Sequence, residues 1–250
     1  LTVREPVRSE TYEIRTLSEG MEQMIARINA QIQEITQKQA SLRKAELALL
    51  QAQINPHFLY NTMDTIIWLI EADRSQAAVE MVSHLSDFFR HSLSRGEDVI
   101  SLGEEEQHVR SYLQIQQARY QDILDYTIQM DPGLQAVRLP KLTLQPLVEN
   151  ALYHGIKGKR GKGCISVTSR EEGPDVLLQI TDNGAGMTGA RLEELNRAME
   201  SGERVGFGLA TVHERLRLLF GSPYGLTLSS QEGVGTTVTV RVPRREKELT

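Results

Sequence analysis

The sequence predicts an α plus α/β protein: a long N-terminal coiled-coil helix and a helical dimerisation region, followed by a two-layer α/β sandwich. Three observations carry this. A seven-residue apolar repeat runs from Ile14 to Leu49, helical text resumes after Pro56 and continues to Tyr120, and beyond Tyr120 short β-rich runs alternate with amphipathic stretches. The predicted boundaries are 1–52 for the coiled coil, 53–120 for the dimerisation helices, 121–243 for the α/β domain and 244–250 for a charged tail. A chain of 250 residues can bury a sizeable core in more than one unit.

In the first segment Ile14, Met21, Ile28, Ile35, Leu42 and Leu49 hold one heptad position, with Leu17, Met24, Gln31, Lys38, Ala45 and Ala52 at its partner. The polar Gln31 and Lys38 cost stability and restrict register, which reads as a parallel dimer. A single amphipathic helix packed on its own domain is the other reading, because Ile25, Ile32, Leu47 and Leu50 widen the stripe. Pro56 interrupts the pattern, since it lacks an amide hydrogen and disfavours helix at the residue before it. Asn55 as cap and Pro56 as first helical residue place His57 in the first turn of a new helix. Leu59, Met63, Ile66, Ile67 and Ile70 form its apolar face, and Trp68 is expected in the core. A second helix with Val79, Val82, Leu85, Phe88, Phe89 and Leu93 returns antiparallel, so that two hairpins from two chains make a four-helix bundle.

Ser101 and Glu104 form a capping box that opens a third helix to about Tyr120, with Val109, Leu113 and Ile115 or Gln116 on its inner face. Residues 124–130 then read as a strand, 143–156 as a helix, 164–170 and 176–182 as a strand pair, and 209–220 as a helix. Residues 226–230 and 236–242 read as a hairpin around Glu232 and Gly233.

Composition narrows the function. A net charge of -5 with interspersed signs and no basic stripe argues against direct binding of nucleic acid. One cysteine, Cys164, excludes an intrachain disulfide framework and thiolate clusters, and reads as a small residue at the start of a strand. The longest apolar run, Ile66 to Ile70, is far short of the ~20 residues a bilayer requires. The text opens at Leu1 inside a helical pattern, which reads as a fragment of a longer chain.

Chemistry concentrates in five places. Asn150 and His154 lie four apart on one helix face, with Glu149 rotated about a quarter turn away. An asparagine amide oxygen suits a magnesium ion bridging phosphates. Asp182 ends a strand and is followed by Gly184 and Gly186, which let a ligand approach the backbone; its carboxylate can accept from an adenine amino group. Gly206 and Gly208, with Leu209, open a helix whose free amides suit a phosphate. Residues 187–205 between these boxes read as a lid. Gly235 and Thr236 join the last two strands. His57, with Asn61 four and Asp64 seven residues later on the same face, supplies a nucleophile at a helix start that favours an incoming anion; Asn61 can orient its ring. His84, His91 and His108 stand singly on helices and read as ordinary helix residues, and the basic run from Lys157 to Lys162 reads as a solvated turn.

In this order the boxes resemble the ATP-binding fold shared by gyrase, Hsp90, MutL and histidine kinases, the Bergerat or GHKL fold, over residues 121–243. The run Asn55-Pro56-His57-Phe58-Leu59-Tyr60-Asn61 and the asparagine box from Gln145 to Gly155 are similar to those of sensor histidine kinases of the LytS/YesM type, over about residues 50–243. Glu13 and Ile14 with Leu17, Met21 and Met24 resemble the end of a HAMP linker. The resemblance implies His57 as phosphoacceptor, Asn150 as magnesium ligand, Asp182 as adenine contact, and Gly184, Gly186, Gly206, Gly208 and Gly235 as nucleotide-lining glycines, with His154, Leu209 and Thr236 beside them. Phe58 stands where many histidine kinases have an acidic residue, and Val212 and His213 stand in a stretch that more often begins with asparagine.

The implied function is a sensor histidine kinase of a two-component system: Mg-ATP-dependent autophosphorylation on His57, then transfer to a response regulator aspartate. The implied cofactors are ATP and Mg, and the implied partners are a second copy of the chain and the regulator. The implied location is the cytoplasmic portion of a membrane-anchored sensor, reaching the membrane only through a missing N-terminal part. Two alternatives are an ATPase of the same fold, with Glu149 as acid/base activating water, and a catalytically silent nucleotide-binding scaffold.

Overall fold

The computed structural model describes residues 24, 25, 27, 28, 31, 56–92, 98–159, 161–201 and 207–244. The heptad seam, the HAMP-like opening and Asn55 therefore lie outside the described residues, apart from a few helical positions that include Met24 and Ile28. The chain divides into two compact units, Leu1–Leu59 and Tyr60–Thr250.

Helix α1, Pro56–Glu71, begins at the proline, where a missing N–H is no loss because first-turn amides have no intrahelical acceptor. It ends in a Schellman turn. Asp73 takes φ 57, Arg74 N–H donates to Leu69 C=O at 2.8 Å, and Asp73 N–H donates to Ile70 C=O at 3.1 Å. Helix α2, Ser75–Ser92, follows and buries Ala78, Met81, Leu85 and Phe88. The faces differ from expectation: Ile66 and Leu69 of α1 are buried, whereas Met63, Ile67 and Ile70 are exposed, as are Val79 and Val82 of α2. Trp68 is 54% exposed rather than core, because it sits beside Ile67 on the side of α1 turned away from the buried Leu69.

Strand β1, Val99–Ser101, leads into α3, Leu102–Arg119. The capping box is present: the Ser101 hydroxyl accepts from Glu104 N–H at 3.2 Å, and the Glu104 carboxylate accepts from Ser101 N–H at 2.8 Å. Helix α3 buries Val109, Tyr112, Leu113, Ile115 and Gln116, and α2 packs along it with Phe88 against His108 and Tyr112.

Strand β2, Leu124–Gln129, enters the sheet, and β3, Arg138–Pro140, pairs antiparallel with β1. A helical stretch then runs as α4, Gln145–Asn150, and widens into a π-turn over Ala151–Ile156. Strands β4, Gly163–Glu172, and β5, Asp175–Asp182, form an antiparallel pair, and α5, Gly189–Ser201, and α6, Phe207–Phe220, precede the β6, Gly225–Gln231, and β7, Gly235–Pro243, hairpin. The five-stranded sheet has the order β2-β4-β5-β7-β6, parallel only between β2 and β4. Alternate residues Val238, Val240 and Val242 of β7, with Ile165 and Val167 of β4, are buried, and β5 is buried at Val176, Leu177, Leu178 and Ile180 as its central position requires. The π-turn lies against β5, and α5 and α6 against β6, giving the second layer.

Candidate functional site

Between the sheet and helices α4, α5 and α6 is a cavity of about 460 Å³, within the usual range for small-molecule sites. Asn150, His154, Asp182, Gly186, Gly208, Leu209 and Thr236 line it, so seven of the residues expected from sequence come together there. Ile180, Leu195, Leu228 and Val238 supply apolar wall. These come from strands and a helix with no local signal beyond apolar periodicity, and sequence reasoning did not name them.

Asp182 sits at the end of β5, 5% exposed. Its Oδ1 accepts from Gly184 N–H at 2.8 Å, an Asx-type contact that folds the glycine loop back over the strand end. Burial pushes its carboxyl upward, opposed by the amides of Gly184 and Thr236 and by the charge of Lys159. Two glycines make this arrangement possible. A side chain at Gly184 would strike the Gly155 backbone, and one at Gly235, which has φ 143, would strike the Asp182 carbonyl. Gly155 belongs to the same cluster: its carbonyl accepts from Ala185 N–H at 3.0 Å, and an added Cβ would lie 2.5 Å from Asp182 Oδ1. Only its passage through the fold to Asp182 reveals that role. Gly233 N–H donates to Ala185 C=O at 2.7 Å, which ties the β6–β7 hairpin to the glycine loop.

Asn150, the last residue of α4, faces the start of α6: a Cβ on Gly208 would lie 3.3 Å from Asn150 Nδ2. The bare backbone there leaves the amide open to the cavity. Glu149 does not line the cavity; its Oε1 accepts from Gln145 Nε2 at 2.8 Å, and burial raises its carboxyl above the ordinary range. Gly206 lies outside the described residues, as does the end of the expected lid, of which α5 forms the described part. Arg191 of α5 lines the cavity and pairs with Glu194 at 2.6 Å.

His57 is exposed in the first turn of α1, and Asn61 is half-buried one turn on with its Nδ2 lacking a hydrogen-bond partner. His213 of α6 accepts from Leu226 N–H at 3.0 Å through Nδ1, so it braces β6 and takes no place in the cavity lining.

The residues present fit an adenine nucleotide with a hard cation. The apolar walls suit a base, the buried Asp182 carboxylate suits an exocyclic amine, and the Asn150 oxygen and the α6 start suit metal and phosphate.

The family model described as histidine kinase matches residues 45–124, and the one described as histidine kinase-, DNA gyrase B-, and HSP90-like ATPase matches residues 136–246. The chain is 37% identical over 235 residues to sensor histidine kinase YesM of Bacillus subtilis (strain 168), covering 90% of this chain and 38% of that protein. It is 37% identical over 235 residues to sensor histidine kinase BtsS of Escherichia coli (strain K12), covering 93% and 39%, respectively. To sensor protein LytS of Staphylococcus haemolyticus (strain JCSC1435) it is 35% identical over 204 residues, covering 81% of this chain and 35% of that protein. The chain thus spans less than two fifths of the length of these relatives. With a histidine kinase region followed by a gyrase- and Hsp90-like ATPase domain, the chain belongs to the sensor histidine kinase family, among relatives of the LytS and YesM type.

Proposed function

We propose that the chain is the kinase core of a two-component sensor, a protein-histidine kinase that phosphorylates itself on His57 with Mg-ATP and passes the phosphoryl group to a response regulator aspartate. The observation that carries the reading is the joint lining of one cavity by Asn150, Asp182, Gly186, Gly208 and Thr236, residues drawn from four separate sequence boxes. Asp182 orients the base, Asn150 holds the metal, and the amides at the start of α6 receive phosphate oxygens. Bound Mg-ATP supplies the transferable phosphoryl group and the charge that eases its departure. An unprotonated His57 nitrogen forms the new N–P bond as the bond to ADP breaks, with Asn61 orienting the ring. The domain division at about residues 52, 120 and 243 and the HAMP-like role of the segment from Glu13 to Met24 belong to the same proposal.

The chain works as a homodimer in this reading. Tyr60, Met63, Ile67 and Ile70 of α1 and Val79 and Val82 of α2 are exposed apolar residues at helical spacing, the stripe that two helical hairpins would bury against each other in a four-helix bundle. Attachment of the parent protein to a membrane would come from sequence upstream; no helix among the described residues is long and apolar enough to cross one.

Glu149, turned to Gln145 rather than lining the cavity, gives less support to a hydrolase that uses it to activate water. The deciding experiment is incubation of wild type and His57→Ala with γ-labelled ATP and magnesium. Alkali-stable, acid-labile label that disappears in the variant is expected. Free phosphate released equally by both proteins would replace this reading with that of an ATPase.

A further inference from the structure

Glu105 is a carboxylate with 0% exposure that the chemistry above does not use. It lies one turn into α3, and its two oxygens accept backbone amides from a distant segment. Leu142 N–H donates to Oε1 at 2.5 Å and Leu144 N–H donates to Oε2 at 2.9 Å, and the Thr143 amide between them also favours the ionised form. Successive amides can converge on one anion only if the backbone reverses between them, and Leu142 does so with φ 59, a left-handed conformation uncommon for a leucine. The turn has no slack on its other side, where the Thr143 hydroxyl donates to Pro140 C=O at 2.5 Å.

What this turn holds is the start of α4. The Leu144 carbonyl accepts from Leu147 and Val148 N–H at 3.1 and 3.0 Å, the first bonds of that helix. Asn150 follows Leu144 by six residues, about 9 Å along a helix axis. Leu144, Leu147 and Val148 are fully buried, so α4 moves as a packed piece. The charge of Arg215 on α6 also acts on Glu105, as Glu105 acts on Lys141. Helix α3 also packs against α2, through His108 and Tyr112. One side chain therefore joins the helix that receives α2 to the helix that ends in Asn150.

We propose that Glu105 is a positioning residue that sets the register of the 142–144 turn and thereby aims Asn150 at the metal and phosphate end of the nucleotide cavity. The inference rests on the nucleotide reading of that cavity. Glu105→Gln keeps the shape but puts an NH2 group in place of one acceptor oxygen at every pH, facing a backbone N–H donor, so the turn opens and α4 shifts. The contacts of Gly155 with Ala185 and Asp182 anchor the far end of the π-turn, so the shift is confined to the segment before it and the glycine loop stays in place. Glu105→Asp keeps both acceptor oxygens on a shorter arm and should recover part of the loss.

The test compares wild type, Glu105→Gln and Glu105→Asp. The measurements are amide NMR, including the Asn150 side-chain NH2, ADP affinity with and without magnesium, and autophosphorylation below the lowest unfolding midpoint. For Glu105→Gln, resonances from Leu142 to Asn150 should move while those of Gly184 and Gly186 stay. Affinity with magnesium should fall about tenfold or more, as for outer-shell partners of metal ligands, with a much smaller change without magnesium. Equal losses with and without the metal that merely track a lower midpoint, or an unmoved Asn150 resonance, would overturn the proposal. A wild type that binds no nucleotide would remove the nucleotide reading instead, and the NMR comparison would still decide whether Glu105 governs Asn150.

Discussion

Adjacent glutamates mark what a sequence can and cannot disclose at the scale of a residue. Glu104 is legible because its partner Ser101 is three residues away, and the local spacing specifies the capping box. Glu105 has its partners 37 and 39 residues away, and nothing near it in sequence announces them. The same holds for Gly155, visible as part of an asparagine box but understood only once Asp182 lies against it. Titration separates these groups further. Burial raises Glu105 to about 7, above its ordinary 4.5, despite three amides that favour the ionised form. The folded state therefore holds a proton that the unfolded chain releases near 4.5. The stability Glu105 contributes is greatest at or below that pH and is lost as pH rises toward 7. Urea midpoints measured from pH 4.5 to 8 should fall more for wild type than for Glu105→Gln; parallel curves would contradict this. Asp182 is also raised by burial, so its acceptor form should be lost on acidification before that of an ordinary aspartate. ADP affinity should weaken as pH drops through that range, and Asp182→Asn, whose amide presents donors to a donor, should bind roughly tenfold or more weakly at neutral pH by calorimetry.

Whole elements were largely legible because their signals are periodic. The strands of the five-stranded sheet fall within a residue or two of expectation, since apolar alternation is read over six to ten residues of each. The sequence reads as one helix continuing to Ile156, whereas α4 widens into a π-turn after Asn150; periodicity near 3.6 cannot see one extra residue in a turn. The sequence pattern gives α1 and α2 one apolar face each, whereas each carries two. Leu69 and Met81 are 1% exposed, while Ile67, Trp68 and Val82 are more than half exposed. A run such as Ile66 to Ile70 covers every direction around the axis, so sequence alone could not sort core from surface, which is why Trp68 was placed inside. The two faces predict opposite mutational behaviour. Leu69→Ala should cost about 2–5 kcal/mol in unfolding free energy, as core truncations do. Ile67→Asp, on the exposed stripe, should leave the single chain folded but convert a dimer to monomer in light scattering. A dimer indifferent to that substitution would move the interface elsewhere.

At the scale of the molecule, the boundary between the two units falls inside α1, between Leu59 and Tyr60. His57 thus belongs to the first unit, while every residue that lines the nucleotide cavity belongs to the second. If His57 is the acceptor proposed above, nucleotide binding and phosphoryl acceptance should be separable by mutation, and Pro56 is the position at which to test it. Proline at the first helical position ends whatever helix precedes it, because it has no N–H to donate backward and its ring crowds the preceding carbonyls. Alanine removes both obstacles and lets the helical text before residue 56 run into α1 without a break. The cavity has no part in that change, so ADP affinity of Pro56→Ala should stay within about twofold of wild type, the scatter expected for a distant and independent site. His57 sits one residue away and would be reoriented by the new backbone. Phosphoryl transfer depends on placement to within about an ångström, so autophosphorylation should fall by up to about a hundredfold. Calorimetry and γ-label incorporation on the same preparation check both halves of the expectation. A matched loss of nucleotide affinity would show that the proline acts on the second unit as well, and the separation of acceptor from cavity would then fail.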